Sequence, residues 1–218
     1  MPIPLNGSSE ISRAWLAKTL GYMLDDTLPV KLSSTPTDID FLGIHPSLQE
    51  VLALGNAVKI KPRIVVEVKG WLDYDRSELL KGLYHDLSLM KGDFIPKVCT
   101  KEKDEFTFTF LKEEVFNRAT EIFKPFIFDR VLIVPTMPFD CRYKWAKGGM
   151  VDKGTLINDC KSKGIIVLEL GDIITDLIRY VKADSKKPGL ENAMNRRSFV
   201  LEIIHALQDA QMLKDSIL

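Results

Sequence analysis

The segment of residues 63–70, Arg-Ile-Val-Val-Glu-Val-Lys-Gly, constrains the fold of this chain more than any other. Its β-branched side chains are nearly continuous, which predicts a central strand that is buried on both faces. A strand of this kind belongs to a sheet that is covered by helices on both sides. The segment therefore indicates an α/β fold with a mixed β-sheet flanked by helices.

Periodic apolar residues and capping signals predict the other elements along the chain. Helices are expected at residues 8–26, 75–90, 113–123, 153–163, 172–183 and 190–213. Strands are expected at residues 29–34, 37–45, 130–134 and 165–170, an extra hairpin at 97–111 and a short helix at 49–52. The alternation of strand and helix after residue 130 predicts parallel pairing in that part of the sheet.

Composition restricts the class of protein. A chain of 218 residues, 45% of them hydrophobic, suits one globular domain. We expect no membrane association, because no apolar run approaches the ~18 residues that span a bilayer and the first residues do not resemble a signal peptide. Cys99, Cys141 and Cys160 lie far apart, which argues against a zinc site or a disulfide framework and favours a reducing, cytoplasmic location.

The charge is balanced overall but uneven along the chain. Thirty Lys and Arg residues against 30 Asp and Glu residues give a formal net charge of zero, which argues against a protein that coats nucleic acid non-specifically. Residues 1–56 are nevertheless net acidic, and residues 136–164 are net basic. The asymmetry is ordinary surface variation unless the acidic part does chemistry and the basic part holds a polyanion.

Four charged residues stand inside the apolar strand segments. Glu67 and Lys69 are two residues apart and point to the same face of their strand, and Asp38 and Asp40 likewise share a face of the strand before it. Burying such charges costs several kcal/mol unless they pair or bind a ligand. If the two strands are neighbours, three carboxylates and one lysine converge.

An oxygen-rich site of this type suits Mg²⁺ or Mn²⁺ and does not suit zinc. A metal held by carboxylates binds a phosphate oxygen and lowers the pKa of bound water, and a nearby lysine can orient the attacking water and stabilise negative charge. The chemistry indicated is therefore hydrolysis of a phosphodiester. The alternative interpretation of Asp40, Glu67 and Lys69 is a buried structural ion pair.

Two segments, Thr37-Asp38-Ile39-Asp40-Phe41-Leu42 and Val65-Val66-Glu67-Val68-Lys69, resemble the core of the PD-(D/E)XK nucleases, which have the restriction-endonuclease-like fold. The resemblance implies that Asp40 and Glu67 bind the metal and that Lys69 is catalytic. Asp38 is the second match to the family's strand aspartate. In this family a helix precedes the metal-binding hairpin and a helical acid often assists, a position that Glu10 matches, although Glu10 also suits a helix N-terminus.

The helix that follows the motif carries a basic residue and a Tyr or Gln facing the site in many members of the family. Lys81 and Tyr84 are similar in position, and His85 stands next to them. The resemblance implies a PD-(D/E)XK nuclease-like domain over residues 1–185, with 97–125 as an insertion, and leaves residues 186–218 as a C-terminal amphipathic helix. That helix and the need for two sites to cut a duplex favour a homodimer.

Cations alternate with aromatic residues in the long loop after residue 135. Arg142, Lys144, Trp145 and Lys147 can contact phosphates and stack on bases, or Trp145 can simply pack onto the core. We expect DNA as the partner, with RNA left open, and favour an endodeoxyribonuclease over an exonuclease. The alternatives are a dormant nuclease-fold DNA-binding or assembly subunit, and a nucleotide-handling or redox protein, which the lack of a Gly-rich phosphate loop disfavours.

Overall fold

The structure is a computed structural model that describes residues 7–25, 29–31, 36–69, 83, 86, 87, 90, 108–134 and 153–184. The α-helices are α1 (Gly7–Ala14), α2 (Glu113–Phe123), α3 (Lys153–Ser162) and α4 (Leu170–Asp184). The strands are β1 (Met23–Asp25), β2 (Pro29–Lys31), β3 (Pro36–Asp38), β4 (Phe41–Ile44), β5 (Val51–Ala53), β6 (Val58–Ile60), β7 (Arg63–Val68), β8 (Asp129–Val134) and β9 (Ile165–Glu169).

Five of these strands form one mixed sheet in the order β1–β4–β7–β8–β9. The first three strands pair antiparallel, whereas β8 is parallel to both β7 and β9. The α/β class, the mixed sheet and the parallel pairing after residue 130 are thus confirmed. The apolar strand β7 is central, as expected, and its residues Ile64–Val68 are all buried.

Helices cover both faces of the sheet, so that the side chains of β7 alternate between two cores. Ile64, Val66 and Val68 face a cluster that contains residues of α1, α4 and the β5–β6 hairpin. Val65 faces the opposite side, where it packs against α2. On the same side as Val65, β8 and β9 pack against α3, the helical residues Leu83 and Leu87, and Phe108 and Phe110.

The first helix is shorter than its apolar spacing predicts. After α1 the chain forms a π-helical turn at Trp15–Thr19, in which the Leu20 N–H donates to the Trp15 carbonyl at 3.1 Å. Gly21 then adopts a left-handed φ of +83°, a conformation that ends helices and favours glycine. The expected continuation to residue 26 is therefore wrong, and Met23–Asp25 is the edge strand β1.

Two other predicted elements are corrected. The segment 49–52 is not a short helix, because Val51–Ala53 pairs with Val58–Ile60 in a hairpin whose turn is made by left-handed residues. The segment 37–45 is not one continuous strand: β3 pairs with β2 in a separate ladder, and the five-stranded sheet is joined only at Phe41.

The predicted hairpin at 97–111 is wrong at its carboxyl end, where Thr109–Leu111 forms a 3₁₀ turn. Residues 97–107 of that hairpin lie outside the described residues, as do most of the predicted helix 75–90 and the whole predicted C-terminal helix. Predicted boundaries at residues 97–125 and 185 stay predictions. No helix in the described part of the chain is long and apolar enough to cross a membrane.

Gly43 is expected to be required for the pairing of β4 with β7. A Cβ atom at this position would lie 2.5 Å from Cγ1 and 2.8 Å from Cδ1 of the fully buried Ile64. We predict that Gly43→Ala lowers the free energy of unfolding by about 1–3 kcal/mol, the usual cost of overpacking, as measured by urea denaturation.

The matched control is Gly171→Ala in α4, where a Cβ atom would meet nothing within 4 Å. This variant should be as stable as the wild type or more stable by up to about 1 kcal/mol, because alanine favours helices over glycine. Equal stability of the Gly43→Ala variant and the wild type would contradict the close approach of β4 and β7.

Candidate active site

Asp40, Glu67 and Lys69 meet where β4 begins and β7 ends. Phe41 pairs with Val66 in the antiparallel ladder, so the register, continued by one residue, brings Asp40 opposite Glu67. The Val68 N–H donates to Asp40 Oδ2 at 2.7 Å. Lys69 donates from its ammonium group to Glu67 Oε1 in an ion pair. The structure thus brings together three of the four charged residues that were expected to converge, and the side chain of the fourth, Asp38, lies outside the described residues.

Glu67 is buried because apolar clusters adjoin it on its own face of the sheet. Val65, two residues earlier, packs against α2, and the residue paired with Glu67 on β8, Leu132, packs against Leu83 and Leu87. Only 7% of the Glu67 surface is exposed. A carboxylate at this position loses most of its hydration, which is costly without compensating partners.

The pKa of Glu67 reflects three opposing influences. Burial raises the pKa above its ordinary value, the ammonium group of Lys69 lowers it, and the negative charge of Asp40 raises it. The net shift is upward, so the ion pair with Lys69 does not fully offset the lost hydration and the repulsion by Asp40. The charged form of Glu67 would gain from a further cation.

Asp40 occupies the point at which the β4 strand begins. Its carboxylate, rather than a backbone carbonyl, accepts the Val68 N–H. This hydrogen bond fixes the carboxylate against the end of β7, and Asp40 acts on the pKa of Glu67 from there. The break in the predicted strand at Asp40 is therefore what brings its side chain to the candidate site.

Lys69 is fixed at its backbone and at its ammonium group. The Lys69 N–H donates to the Ile133 carbonyl at 2.9 Å, which extends the parallel contact between β7 and β8. Its Nζ lies 5.6 Å from the centroid of the Phe108 ring and pairs with Glu67. The Lys69 side chain is 23% exposed, so it is less deeply buried than its partner Glu67.

The donor set fits a hard divalent cation. Asp40 and Glu67 offer carboxylate oxygens, and Mg²⁺ is commonly held by one or two carboxylates together with water and substrate phosphates. A cation beside Glu67 would also relieve the repulsion that raises its pKa. Among the residues that the structure describes, no group of three or more Asp, Glu, His or Cys side chains is arranged to hold a metal ion.

Glu10 and Asp38 are the remaining predicted acids of the site. Glu10 lies in the first turn of α1 and is exposed. The backbone of Asp38 belongs to β3, whose partner is β2. The expectation that Asp38 and Asp40 share one strand is therefore wrong. The side chain of Asp38 is outside the described part of the structure. Auxiliary roles for Glu10 and Asp38 stay predictions.

Several predicted residues lie outside the described residues. These are Lys81, Tyr84 and His85 of the predicted helix 75–90, and Arg142, Lys144, Trp145 and Lys147 of the loop predicted after residue 135. Their proposed roles stay predictions.

Sequence reasoning missed Asp86 and Phe108. Asp86 is fully buried, and its Oδ2 accepts the Phe108 N–H at 2.6 Å. The position had a signal, because Asp86 follows Leu83 by three residues and precedes Met90 by four, which is the spacing of the inward face of the helix. An acidic residue among the inward-facing apolar positions of a helix is as unusual as Glu67 is among the apolar residues of β7.

Buried charges at the opposite end of the sheet have internal partners. Asp129 accepts from the backbone N–H of Lys61 at 2.8 Å and pairs with its ammonium group. Arg130 donates to the Lys163 carbonyl at 2.7 Å and lies over the Phe116 ring. Burial lowers the pKa of Arg130 to about 10. These contacts join loops to strands, and none of them places a second carboxylate beside that of Asp129.

Comparisons with protein-family models, with curated proteins and with solved structures found no match to this chain. The geometry of Asp40, Glu67 and Lys69 is therefore the basis on which a function can be proposed.

Replacing Glu67 by glutamine should stabilise the metal-free protein at neutral pH. A group whose pKa is raised by folding favours the folded state at low pH, and this contribution is lost as the pH rises through the folded-state pKa. We predict that Glu67→Gln is more stable than the wild type near pH 7.5, and that the difference in the free energy of unfolding shrinks toward zero as the pH falls to about 4, where the carboxyl group is protonated in both states.

The measurement is urea denaturation across this pH range in the presence of a chelator. The control is Glu121→Gln, which removes an exposed carboxylate of α2 and should show no such pH-dependent gain. A wild type that is more stable than Glu67→Gln at neutral pH would show that the ion pair with Lys69 outweighs the burial of Glu67.

Proposed function

We propose that this protein is a metal-dependent phosphodiesterase, specifically an endodeoxyribonuclease of restriction-endonuclease-like fold. The observation that carries the proposal is the meeting of Asp40, Glu67 and Lys69 at the end of the central strand. Two carboxylates of different strands and one lysine form a set that binds a cation and activates water. The raised pKa of Glu67 supports the interpretation of these residues as an active site, because shifted pKa values cluster at active sites.

The order of elements also supports this fold. In the PD-(D/E)XK nucleases that the sequence resembles, a helix precedes the metal-binding hairpin. Here α1 precedes the antiparallel strands β1, β4 and β7, and the parallel strands follow. Asp40 immediately precedes β4, Glu67 belongs to β7, and these two strands are neighbours, which agrees with the arrangement that the resemblance implies.

Each of the three residues has a role in the proposed reaction. Asp40 and Glu67 would hold Mg²⁺ or Mn²⁺, which supplies charge neutralisation at the phosphate and acidifies water when it is bound. Lys69 would orient the attacking water and stabilise the charge on the phosphate oxygens. The attacking water gives up a proton to solvent as its oxygen forms a bond to phosphorus, the bond to the leaving sugar oxygen breaks, and that oxygen takes up a proton from solvent.

The chain positions of the basic loop residues support DNA as the substrate. Residues 135–152 connect the carboxyl end of β8 with α3, and the Lys69 N–H binds Ile133 just before that connection. Arg142, Lys144, Trp145 and Lys147 thus belong to a connection that starts beside the candidate site. We propose that the three cations contact the phosphate backbone, that Trp145 stacks on a base, and that the protein acts on duplex DNA as a homodimer.

The test is cleavage of supercoiled plasmid DNA by the full chain with Mg²⁺ or Mn²⁺. We predict that Asp40→Asn, Glu67→Gln and Lys69→Met each lower the cleavage rate by at least about 100-fold, the usual effect of removing a group that stabilises transition-state charge. Linear and nicked products would report endonucleolytic cutting.

Glu50→Gln and Lys59→Met serve as matched controls. These residues form a weak ion pair at 3.9 Å on the β5–β6 side of the molecule, and both are more than half exposed. Both controls should cut at the wild-type rate. Wild-type protein that cuts neither DNA nor RNA with either metal, or site variants that keep full activity, would reject the catalytic proposal.

A dormant DNA-binding or assembly subunit is the second candidate. The observation that favours it is the ion pair between Glu67 and Lys69, since a carboxylate that already has a cation beside it can be a purely structural group. Calorimetric titration with Mn²⁺ separates the two candidates. We predict saturable binding that Asp40→Asn weakens by at least about tenfold, whereas a dormant site would bind no Mn²⁺ at these carboxylates.

A further inference from the structure

The aromatic ring beside Lys69 comes from a distant part of the chain. Phe108 precedes the 3₁₀ turn Thr109–Leu111, is fully buried, and lies with its ring centroid 5.6 Å from Lys69 Nζ. A ring face at this distance attracts an ammonium group. Lys69 carries a flexible four-carbon side chain, so the ring and Glu67 together restrict where its charge can lie.

A buried carboxylate holds the backbone of Phe108. Asp86 is 0% exposed, and its Oδ2 accepts the Phe108 N–H at 2.6 Å. Packing alone would favour an apolar residue here, because Leu83, Leu87 and Phe110 surround this part of the core. A buried acid is costly unless its hydrogen bonds compensate, and the hydrogen bond from the Phe108 N–H is one contact that offsets this cost.

We propose that Asp86 and Phe108 are positioning residues for Lys69, an inference that rests on the proposed nuclease function. Asp86 fixes the main chain of Phe108 across the gap between the helix and the 3₁₀ turn. The Phe108 ring then keeps the Lys69 ammonium group beside Glu67 and directed toward the substrate. Neither residue touches the reacting atoms.

The first test compares Phe108→Leu with Phe110→Leu. Both residues are fully buried in the same cluster, and their rings meet edge to face with centroids 6.3 Å apart, so Phe110→Leu controls for lost packing. We expect Phe108→Leu to lower kcat for plasmid cleavage by about tenfold with little change in KM, since a slightly misplaced catalytic group slows the chemical step. Phe110→Leu should keep the wild-type kcat.

A second measurement does not depend on activity. Acylation of lysines by a small activated ester, followed by mass spectrometry, reports how readily each ammonium group is reached. Lys69 should react about two- to fivefold faster in Phe108→Leu, the factor that corresponds to loss of a cation–π contact. Lys59, which is 68% exposed, gives the internal reference and should not change.

Asp86 is tested by a conservative and a disruptive variant. Asp86→Asn keeps an oxygen that can accept the Phe108 N–H, and it should retain the wild-type kcat and Lys69 labelling rate. Asp86→Leu lacks the acceptor and should behave like Phe108→Leu. If Asp86→Leu does not fold, the comparison of Phe108→Leu with Phe110→Leu still decides whether the Phe108 ring positions Lys69.

The outcomes separate this inference from the proposed function. Faster Lys69 labelling in Phe108→Leu but not in Phe110→Leu, with a wild type that cuts no nucleic acid, would retain the positioning contact and reject the nuclease. A wild type that cuts, together with a Phe108→Leu variant that matches it in kcat and labelling, would overturn the inference and leave the nuclease standing.

Discussion

The charge of Glu67 on the central strand is the constraint on which the candidate site depends. The carboxylate lies on a face that α2 and the apolar residues around β8 also cover, so it cannot be hydrated as it would be at the surface. Two neighbours decide its state. The ammonium group of Lys69 favours the charged form of Glu67 and lowers its pKa, whereas the carboxylate of Asp40 disfavours the charged form and raises the pKa. The two carboxylates and the lysine are therefore a coupled set, and a change in any of them alters the protonation of Glu67.

The two ends of the sheet use buried charge in different ways. At the end of the sheet where β8 begins, Asp129 accepts the backbone N–H of Lys61, and Arg130 donates to the backbone carbonyl of Lys163. These hydrogen bonds attach loops to strands. At the end of the sheet where β7 ends, the carboxylates of Asp40 and Glu67 repel each other beside the partly exposed side chain of Lys69. Repulsion between like charges weakens a fold unless a ligand offsets it. This contrast distinguishes a candidate site from structural ion pairs.

Part of the site was readable from the sequence. Charged residues at alternate positions of an apolar strand mark one face of it, which identified Glu67 and Lys69. Asp40 was found with them, but its pairing with β7 depends on strand order and on the break before Phe41. Asp38 was assigned to the same strand and belongs to another ladder. Phe108 could not be placed beside Lys69, because local patterns carry no information on contacts between segments 39 residues apart.

Local sequence patterns are sufficient to specify three elements of this fold. The β-branched residues of Arg63–Val68, the periodic helix Glu113–Phe123 and the apolar strand Asp129–Val134 form as predicted, because their side-chain periods match the faces they bury. Tertiary structure alone decided where α1 ends, since Gly21 and the edge pairing of Met23 overrode the apolar spacing. It also decided the register that joins Asp40 to Glu67, because pairing between strands depends on packing across the whole sheet rather than on any one segment.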